Sequence, residues 1–378
     1  MTVHEISLDF FRNYVHAQAQ FHPGVNVIVG ENAQGKTNLL ESIAYRSSAS
    51  SHRARYDREL IRHGVDHAFV KGRVDSRGRE LVLEADLHRG TTRQLRSNGV
   101  RLKTAAELSG LLNTVLFCPE DLYLIREGAE ARRRYLDGCI GQLRPKYAAA
   151  LAEYRRLYQH KTRILKDSEQ YPGLLDTLDD FSLRMAQCGA VLIHYRAHFV
   201  KRLAQAAPDI HADCSGGREK LRLRYETVSA VTDPEASPKA ILPQLLAHQE
   251  SHREAEIAAR ACLSGPHKDD LAVEIDGEPA KVYASQGQTR TAALALKLAA
   301  RDIFRQETEE WPVLLLDDVL SELDARRQEF VLNRITDGQV FITCCEEGAL
   351  SRLKDGKAFH VKDGQLHGGV TFSREKRS

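Results

Sequence analysis

Residues 25–43 read VNVIVGENAQGKTNLLESI, and the class of the fold turns on the eight residues GENAQGKT inside that stretch. Val25–Val29 is a short apolar run suited to a buried strand, and Asn38–Ile43 continues as a helix, so the segment between them lies where strand gives way to helix. Gly30, Gly35, Lys36 and Thr37 fill the four fixed positions of G-x-x-x-x-G-K-[ST]. In that setting the loop amides and the helix N-terminus point at an anion. Lys36 is placed to neutralise the β- and γ-oxygens of a nucleotide, and Thr37 to offer its hydroxyl to Mg²⁺. A plain glycine-rich turn before an ordinary helix is the bland alternative, and the strand-to-helix context counts against it.

The rest of the composition limits what the loop serves. A chain of 378 residues, 42% hydrophobic and 28% charged, can bury a large core and fill two or three domains. Lys plus Arg number 54 against 52 Asp plus Glu, so any basic surface for a nucleic acid must be local. The seven cysteines are odd in number and contain no C-x-x-C pair. That disfavours a zinc site and a disulfide framework and fits reduced thiols. No secretory signal or eighteen-residue apolar run is present, and a soluble, cytoplasmic protein without membrane association is expected.

Organisation follows from the periodicities. In residues 1–117 alternating runs such as HAFVKGRV and LVLEADL meet at the turn residues 76–78, and a second hairpin is predicted at Asn98-Gly99. These antiparallel strands form a side sheet to the P-loop unit. From Glu130 to Ala207 the chain is strongly helical, broken at Pro145 and at Tyr171-Pro172-Gly173. Leu178, Phe181, Met185, Cys188, Leu192, Tyr195 and Phe199 mark a heptad seam, as do Tyr147, Leu151, Tyr154 and Tyr158. Two helices of about 25 residues would make an antiparallel hairpin about 35 to 40 Å long. It could be either the core of a helical lobe or a projecting arm. LRLRYETV (221–228) alternates like a strand, and a helix from Lys239 to about Ala261 closes the insertion. Leu271–Asp276 and Pro279–Tyr283 are read as a hairpin around Gly277. A helix from about Gln286 to Glu307 and a buried strand Val313–Leu316 follow, and the basic tail after Ser373 reads as disordered. The expected architecture is α/β: an ABC-type, SMC-like P-loop head with mixed sheets (1–117 and 262–378), split by a mainly helical lobe with a short hairpin (118–261).

Two further segments supply chemistry. VLLLDDVLSELD (313–324) puts acidic residues at the end of a buried strand, where Asp317 could hold Mg²⁺ through water and Asp318 could accept a proton from the attacking water. A strand end meeting solvent is the bland reading. YASQGQTRT (283–291) places Ser285, Gly287 and Gln288 before a long Ala/Leu-rich helix, either as an anion-binding N-terminus or as a plain S-x-x-Q capping box.

Taken in order, ISLDFFRNY (6–14), the P-loop segment, SHRARYDRELI (51–61), FCPEDLYLIREGAEARRRYLD (117–137), GPHKDDL (265–271), YASQGQTRT and LLLDDVLSELD resemble the RecF family of bacterial recombinational repair, within the ABC/SMC-like ATPases. The likeness covers almost the whole chain, though residues 140–260 share mainly helical character. It implies that SQGQ, VLLLDD and SELD correspond to signature, Walker B and D-loop. The signature of one subunit would close on ATP held by the P-loop of another. It adds Arg12 and Asn13 near nucleotide, Asn32 and Asn38 in and after the loop, Asp324 at the end of the D-loop, and Glu120 in a Q-loop region near Mg²⁺. Arg53 is either a nucleotide-side cation or a solvated loop residue. Arg132, Arg133 and Arg134 are either a solvated face or phosphate contacts, and Glu130 stands where the family usually has proline. His267, Lys268 and Asp270 return the chain to the head in structural or functional roles. Cys344 and Cys345 follow QVFIT where ABC heads carry a histidine, which implies slow turnover.

The resemblance further implies a weak, DNA-dependent ATPase acting as a switch. Its ATP-bound homodimer would engage DNA at gaps and single-strand/double-strand junctions and help load RecA with RecR and RecO. A transporter's nucleotide-binding subunit is the alternative, although its signature usually follows the P-loop far sooner. A small-molecule kinase gives no account of SQGQ or SELD.

Overall fold

The computed structural model describes residues 1–227, 230–345, 353 and 355–373. Val228, at the end of LRLRYETV, and the tail after Ser373 lie outside the described residues. The chain forms two compact units, one of residues 1–122 with 297–378 and one of residues 123–296.

The first unit holds two six-stranded sheets. One is antiparallel in the order β2-β1-β4-β5-β6-β7, from β1 (Thr2–Asp9), β2 (His16–Gln20), β4 (His67–Ser76), β5 (Arg79–His88), β6 (Gln94–Ser97) and β7 (Val100–Leu102). Both predicted hairpins are present. Arg77 and Gly78 turn β4 into β5, and Asn98 and Gly99 turn β6 into β7, all four with positive φ, as tight two-residue hairpins require. The second sheet runs β15-β14-β3-β13-β12-β8. It consists of β3 (Val25–Val29), β8 (Thr114–Phe117), β12 (Val313–Leu316), β13 (Val340–Cys344), β14 (Asp355–Lys362) and β15 (Gln365–Ser373). The order β14-β3-β13-β12-β8 is parallel throughout, and β15 returns antiparallel on the edge. Buried on both faces, β12 is the uninterrupted apolar VLLL, as parallel strands demand. Helix α1 (Lys36–Ser48) shares one core with both sheets, joining Leu39 and Ile43 to Ile6, Leu8, Ile28 and Phe341.

In the second unit α2 (Ala129–Leu143), α3 (Pro145–Asp167) and α4 (Leu178–Ser215) follow the predicted breaks. At 38 residues α4 exceeds the expected length. Its heptad residues Leu178, Met185, Leu192 and Phe199 are buried, and a second line, Ala186, Ala190 and Ile193, is buried against Ile241 and Leu245. The hairpin is therefore the core of a helical lobe. The expected helix 239–261 is two helices, α5 (Pro238–Ser251) and α6 (Arg253–Ala259), separated at His252. A three-stranded sheet β11-β10-β9 joins β9 (Leu221–Glu226), β10 (Asp270–Ile275) and β11 (Glu278–Pro279). Pro279–Tyr283 is not a strand, because the chain turns at once into α7 (Ala280–Tyr283). Helix α8 (Gln286–Thr308) runs across the division of the units, and α9 (Ala325–Arg334) belongs to the first.

The division differs from the sequence-based 117/118 and 261/262. Strand β10 pairs with β9 in continuous register from Asp270↔Glu226 to Ile275↔Leu221, and Tyr135 donates to the Leu296 carbonyl at 2.7 Å. Residues 262–296 thus pack with the helical unit, which periodicity in either segment alone could not show.

Candidate nucleotide-binding site

The loop 30–35 leaves β3 and enters α1 with two glycines at which a side chain would be crowded. Gly35 has φ 125, and a Cβ there would lie 2.7 Å from Asn13 Nδ2. A Cβ on Gly30 would collide with the Val361 carbonyl. Helix α1 starts on Gly35 with no side-chain cap and no acid in its first turn, which leaves its N-terminal amides to an anion.

Lys36 is 5% exposed. Its Nζ donates to the carbonyls of Gly30 (2.6 Å) and Glu31 (3.0 Å) and lies 3.6 Å from Cys345 Sγ. Cys345 in turn donates to Asn32 Oδ1 at 3.2 Å. The register explains this, since Cys344 pairs with Val29 and the next residue falls beside the loop.

Thr37 Oγ1 donates to Asp317 Oδ1 at 3.0 Å, so the two candidate Mg²⁺ ligands are joined although 280 residues apart. Burial pushes the Asp317 carboxyl above the ordinary aspartate range, against the hydrogen bonds from Thr343 and Thr37. Among the described residues no cluster of three or more His, Cys, Asp or Glu could hold a metal. One carboxylate and one hydroxyl next to a phosphate loop suit Mg²⁺, which takes one or two carboxylates and completes its shell with phosphate oxygens and water. Asp318 has φ 53, and its carboxylate has a different partner from that of Asp317. Its Oδ1 accepts from Ser321 Oγ at 3.1 Å, and its amide donates to Thr343 Oγ1 at 2.8 Å.

The other predicted residues divide into those on the loop and those engaged elsewhere. Asn13 donates to the Gln34 carbonyl (2.7 Å) and accepts from Asn38 (2.8 Å), and Arg53 donates to Asn38 Oδ1 at 3.1 Å. Arg12 is a strut, holding both Glu41 oxygens at 2.8 Å and the Glu59 carbonyl at 2.9 Å. Burial alone would raise the Glu41 carboxyl. The bonds from Arg12 and Ser51 outweigh it and hold Glu41 below the usual range. Glu120 is exposed on the turn Pro119–Tyr123, and the structure does not join it to Thr37 or Asp317; its neighbour Asp121 pairs with Lys297 at 2.7 Å. Asp324 caps α9, accepting from the Arg327 amide at 2.9 Å.

In the second unit Ser285 and Gln288 form both halves of a capping box, Ser285 N to Gln288 Oε1 at 2.8 Å and Gln288 N to Ser285 Oγ at 3.2 Å. Ser285 is exposed, and Gly287 lies in the first turn of α8. The arginine triplet is not one face. Arg132 is buried on Asp270 through two 2.7 Å bonds, Arg133 donates to the Asp269 carbonyl, and only Arg134 is exposed with rim partners. His267 packs structurally, with Tyr154 Oη 2.7 Å from its Nδ1. Thr343 was missed from sequence. It donates to Asp317 Oδ1 at 2.9 Å while accepting from the Asp318 amide, and only the pairing Leu316↔Ile342 puts it there.

A phosphate loop on a parallel sheet, a neighbouring strand ending in paired aspartates and an antiparallel side sheet define an ATPase head of the ABC and SMC type. The family described as RecF/RecN/SMC N terminal domain matches residues 2–365. The DNA replication and repair protein RecF of Agathobacter rectalis is 38% identical over 368 residues, 97% of this chain and 99% of that protein. The RecF of Bacillus subtilis is 38% identical over 376 residues, 97% and 100% of the two chains. The chain belongs to the RecF family. A solved structure of the recombination mediator protein RecF-ATP in the RecFOR pathway is 33% identical, with TM-score 0.89 and 98% of each chain covered. A Pyrococcus furiosus Smc head bound to the C-terminal domain of ScpA, 17% identical with TM-score 0.55 and covering 98% of this chain and 96% of that one, shares the fold alone.

Proposed function

We propose that this protein is a cytoplasmic, ATP-driven switch of DNA repair. Its ATP-bound homodimer engages DNA at gaps and single-strand/double-strand junctions and helps load RecA together with RecR and RecO, and slow hydrolysis resets it. The observation that carries the reading is the Thr37–Asp317 hydrogen bond, which joins the phosphate loop to the acidic strand end. The solved relative named for ATP and the RecFOR pathway supports the choice of nucleotide and partners.

In this reading Lys36 exchanges the Gly30 and Glu31 carbonyls for phosphate oxygens. Thr37 and Asp317 would hold Mg²⁺, which would supply positive charge to the phosphates. Asp318 takes the proton of the attacking water, positioned by Ser321 and by the Thr343 contact to its amide. Ser285 and Gly287 present the amides of the α8 N-terminus to the γ-phosphate held by a second copy. Cys345 occupies the place beside Lys36 with a weak hydrogen-bonding group, which accords with slow turnover.

Lys36→Met tests the site. Charge-assisted hydrogen bonds contribute about 1.5 to 3 kcal/mol each, so loss of the ammonium should weaken ATP binding at least about tenfold. Undiminished ATP affinity in folded Lys36→Met protein, measured by calorimetry, would remove the phosphate-loop assignment.

A further inference from the structure

We propose that Arg55, Tyr56 and Arg58 form a stacking platform for an unpaired base of a DNA strand, with the two arginines engaging its phosphates. The inference rests on the DNA-binding reading above and names the surface of the first unit that meets a single strand.

Tyr56 is 46% exposed. The Arg58 guanidinium carbon lies 4.6 Å from its ring centroid and that of Arg55 lies 5.3 Å away, both within cation–π range. Neither guanidinium has an acidic partner among the described residues, and both side chains are exposed. The acids of the same segment are engaged elsewhere. Asp57 is held by Arg93 at 2.9 Å and by Tyr45, and Glu59 turns back to accept the Arg55 amide at 3.0 Å. What faces solvent is one aromatic ring with two uncommitted cations, in a chain whose net charge is only +2.

An exposed ring with flanking guanidinium groups suits single-stranded nucleic acid, where bases offer a free π-face and phosphates lie one nucleotide away. Duplex DNA would use the arginines but leave the ring idle, because its bases are already stacked. A base arriving on the ring takes the place of one guanidinium, which is then free to meet a phosphate.

The platform is also tied to the nucleotide site. Arg53 bonds Asn38 on α1, Ser51 donates to Glu41 on α1, and Arg12 links Glu41 to the Glu59 carbonyl. Both ends of the segment are therefore braced on the helix that begins at the phosphate loop, which gives a route for nucleotide to set the platform.

The test uses the full chain with Mg²⁺ and a slowly hydrolysed ATP analogue, a fluorescein-labelled single-stranded 30-mer of mixed sequence, and anisotropy at several salt concentrations. Tyr56→Ala should weaken single-strand binding about 5- to 150-fold with its salt slope unchanged, and Tyr56→Phe should restore it. The double variant Arg55→Gln/Arg58→Gln should make the logarithmic salt slope shallower by about 1.4. Nucleotide affinity without DNA should stay at the wild-type value in all three. Wild-type DNA affinity and slope in the variants would overturn the platform while leaving the switch reading intact. A parallel loss of nucleotide affinity would also overturn it, assigning the ring to the adenine of the bound nucleotide. Wild-type protein that binds no DNA in any nucleotide state would remove both.

Discussion

Replacing Arg46 by methionine should make the first unit more stable, because the structure buries this guanidinium with a single long hydrogen bond and both Nη atoms unpaired among the described residues. Arg46 lies in the last turn of α1 and is 2% exposed. Its Nε donates to the Ser42 carbonyl at 3.3 Å, and neither Nη has a hydrogen-bond partner among the described residues. Gly72 makes the room, since a Cβ there would collide with Nη1. Burial pushes the guanidinium from 12.5 down to about 9, which corresponds to about 5 kcal/mol against the charged form. The helix C-terminus returns up to ~2 kcal/mol to a cation, and the smaller methionine leaves a void costing on the order of 1 kcal/mol. The balance favours Arg46→Met by about 2 kcal/mol, or about 4 to 8 °C in the midpoint of thermal unfolding for a unit of this size. Differential scanning calorimetry reads it directly. A midpoint lowered by several degrees, with ATP affinity retained, would refute the premise that Arg46 is an uncompensated buried charge.

Asp318→Asn should keep ATP binding and stall hydrolysis by at least about a hundredfold, because general-base contributions run from 10² upward; a wild-type phosphate-release rate would exclude Asp318 as the base. The helical unit should lose stability in acid. His267 Nε2 donates to the Cys262 carbonyl, and burial pushes the ring's pKa from 6.5 to about 4, so near pH 7 the ring is neutral and its Nδ1 is left to accept from Tyr154 Oη. A depressed folded-state value means that the stability is complete above pH 6.5 and is lost as pH falls toward 4. The loss should be on the order of 2 kcal/mol after allowance for partial exposure. Urea titrations between pH 7 and 4 should show it, and His267→Gln should flatten the pH dependence; an unchanged slope would contradict the assignment.

Much of the fold was legible because local chemistry and tertiary role coincide. The strand-loop-helix at 25–43, the hairpin turns at Arg77-Gly78 and Asn98-Gly99 and the breaks at Pro145 and Tyr171-Pro172-Gly173 each depend on residues adjacent in sequence. What failed to show depends on pairing between distant segments. Thr343 joins the paired aspartates only through the β12–β13 register, and the β9–β10 pairing moves residues 262–296 into the helical unit. The partners of two arginines were hidden for a related reason. Arg132, read as a solvated face or a phosphate contact, meets Asp270, and Arg12, placed near nucleotide by the resemblance, meets Glu41, each a carboxylate far along the chain. Pro279–Tyr283 alternates like a strand but finds no partner beyond Pro279 and coils instead.

The nucleotide-gated dimer is tested most directly by sedimentation of wild type and Ser285→Arg in ATP, in ADP and without nucleotide. ATP should bring the wild type together as a dimer and ADP should not, since ADP lacks the phosphate that α8 of a second copy would hold. Ser285→Arg should remain monomeric in ATP while binding it with near wild-type affinity. Loss of the Ser285 cap costs only about 1 kcal/mol, so circular dichroism should show it folded. Equal monomer fractions for wild type and Ser285→Arg under all three conditions would contradict closure of one copy's α8 on the nucleotide of another.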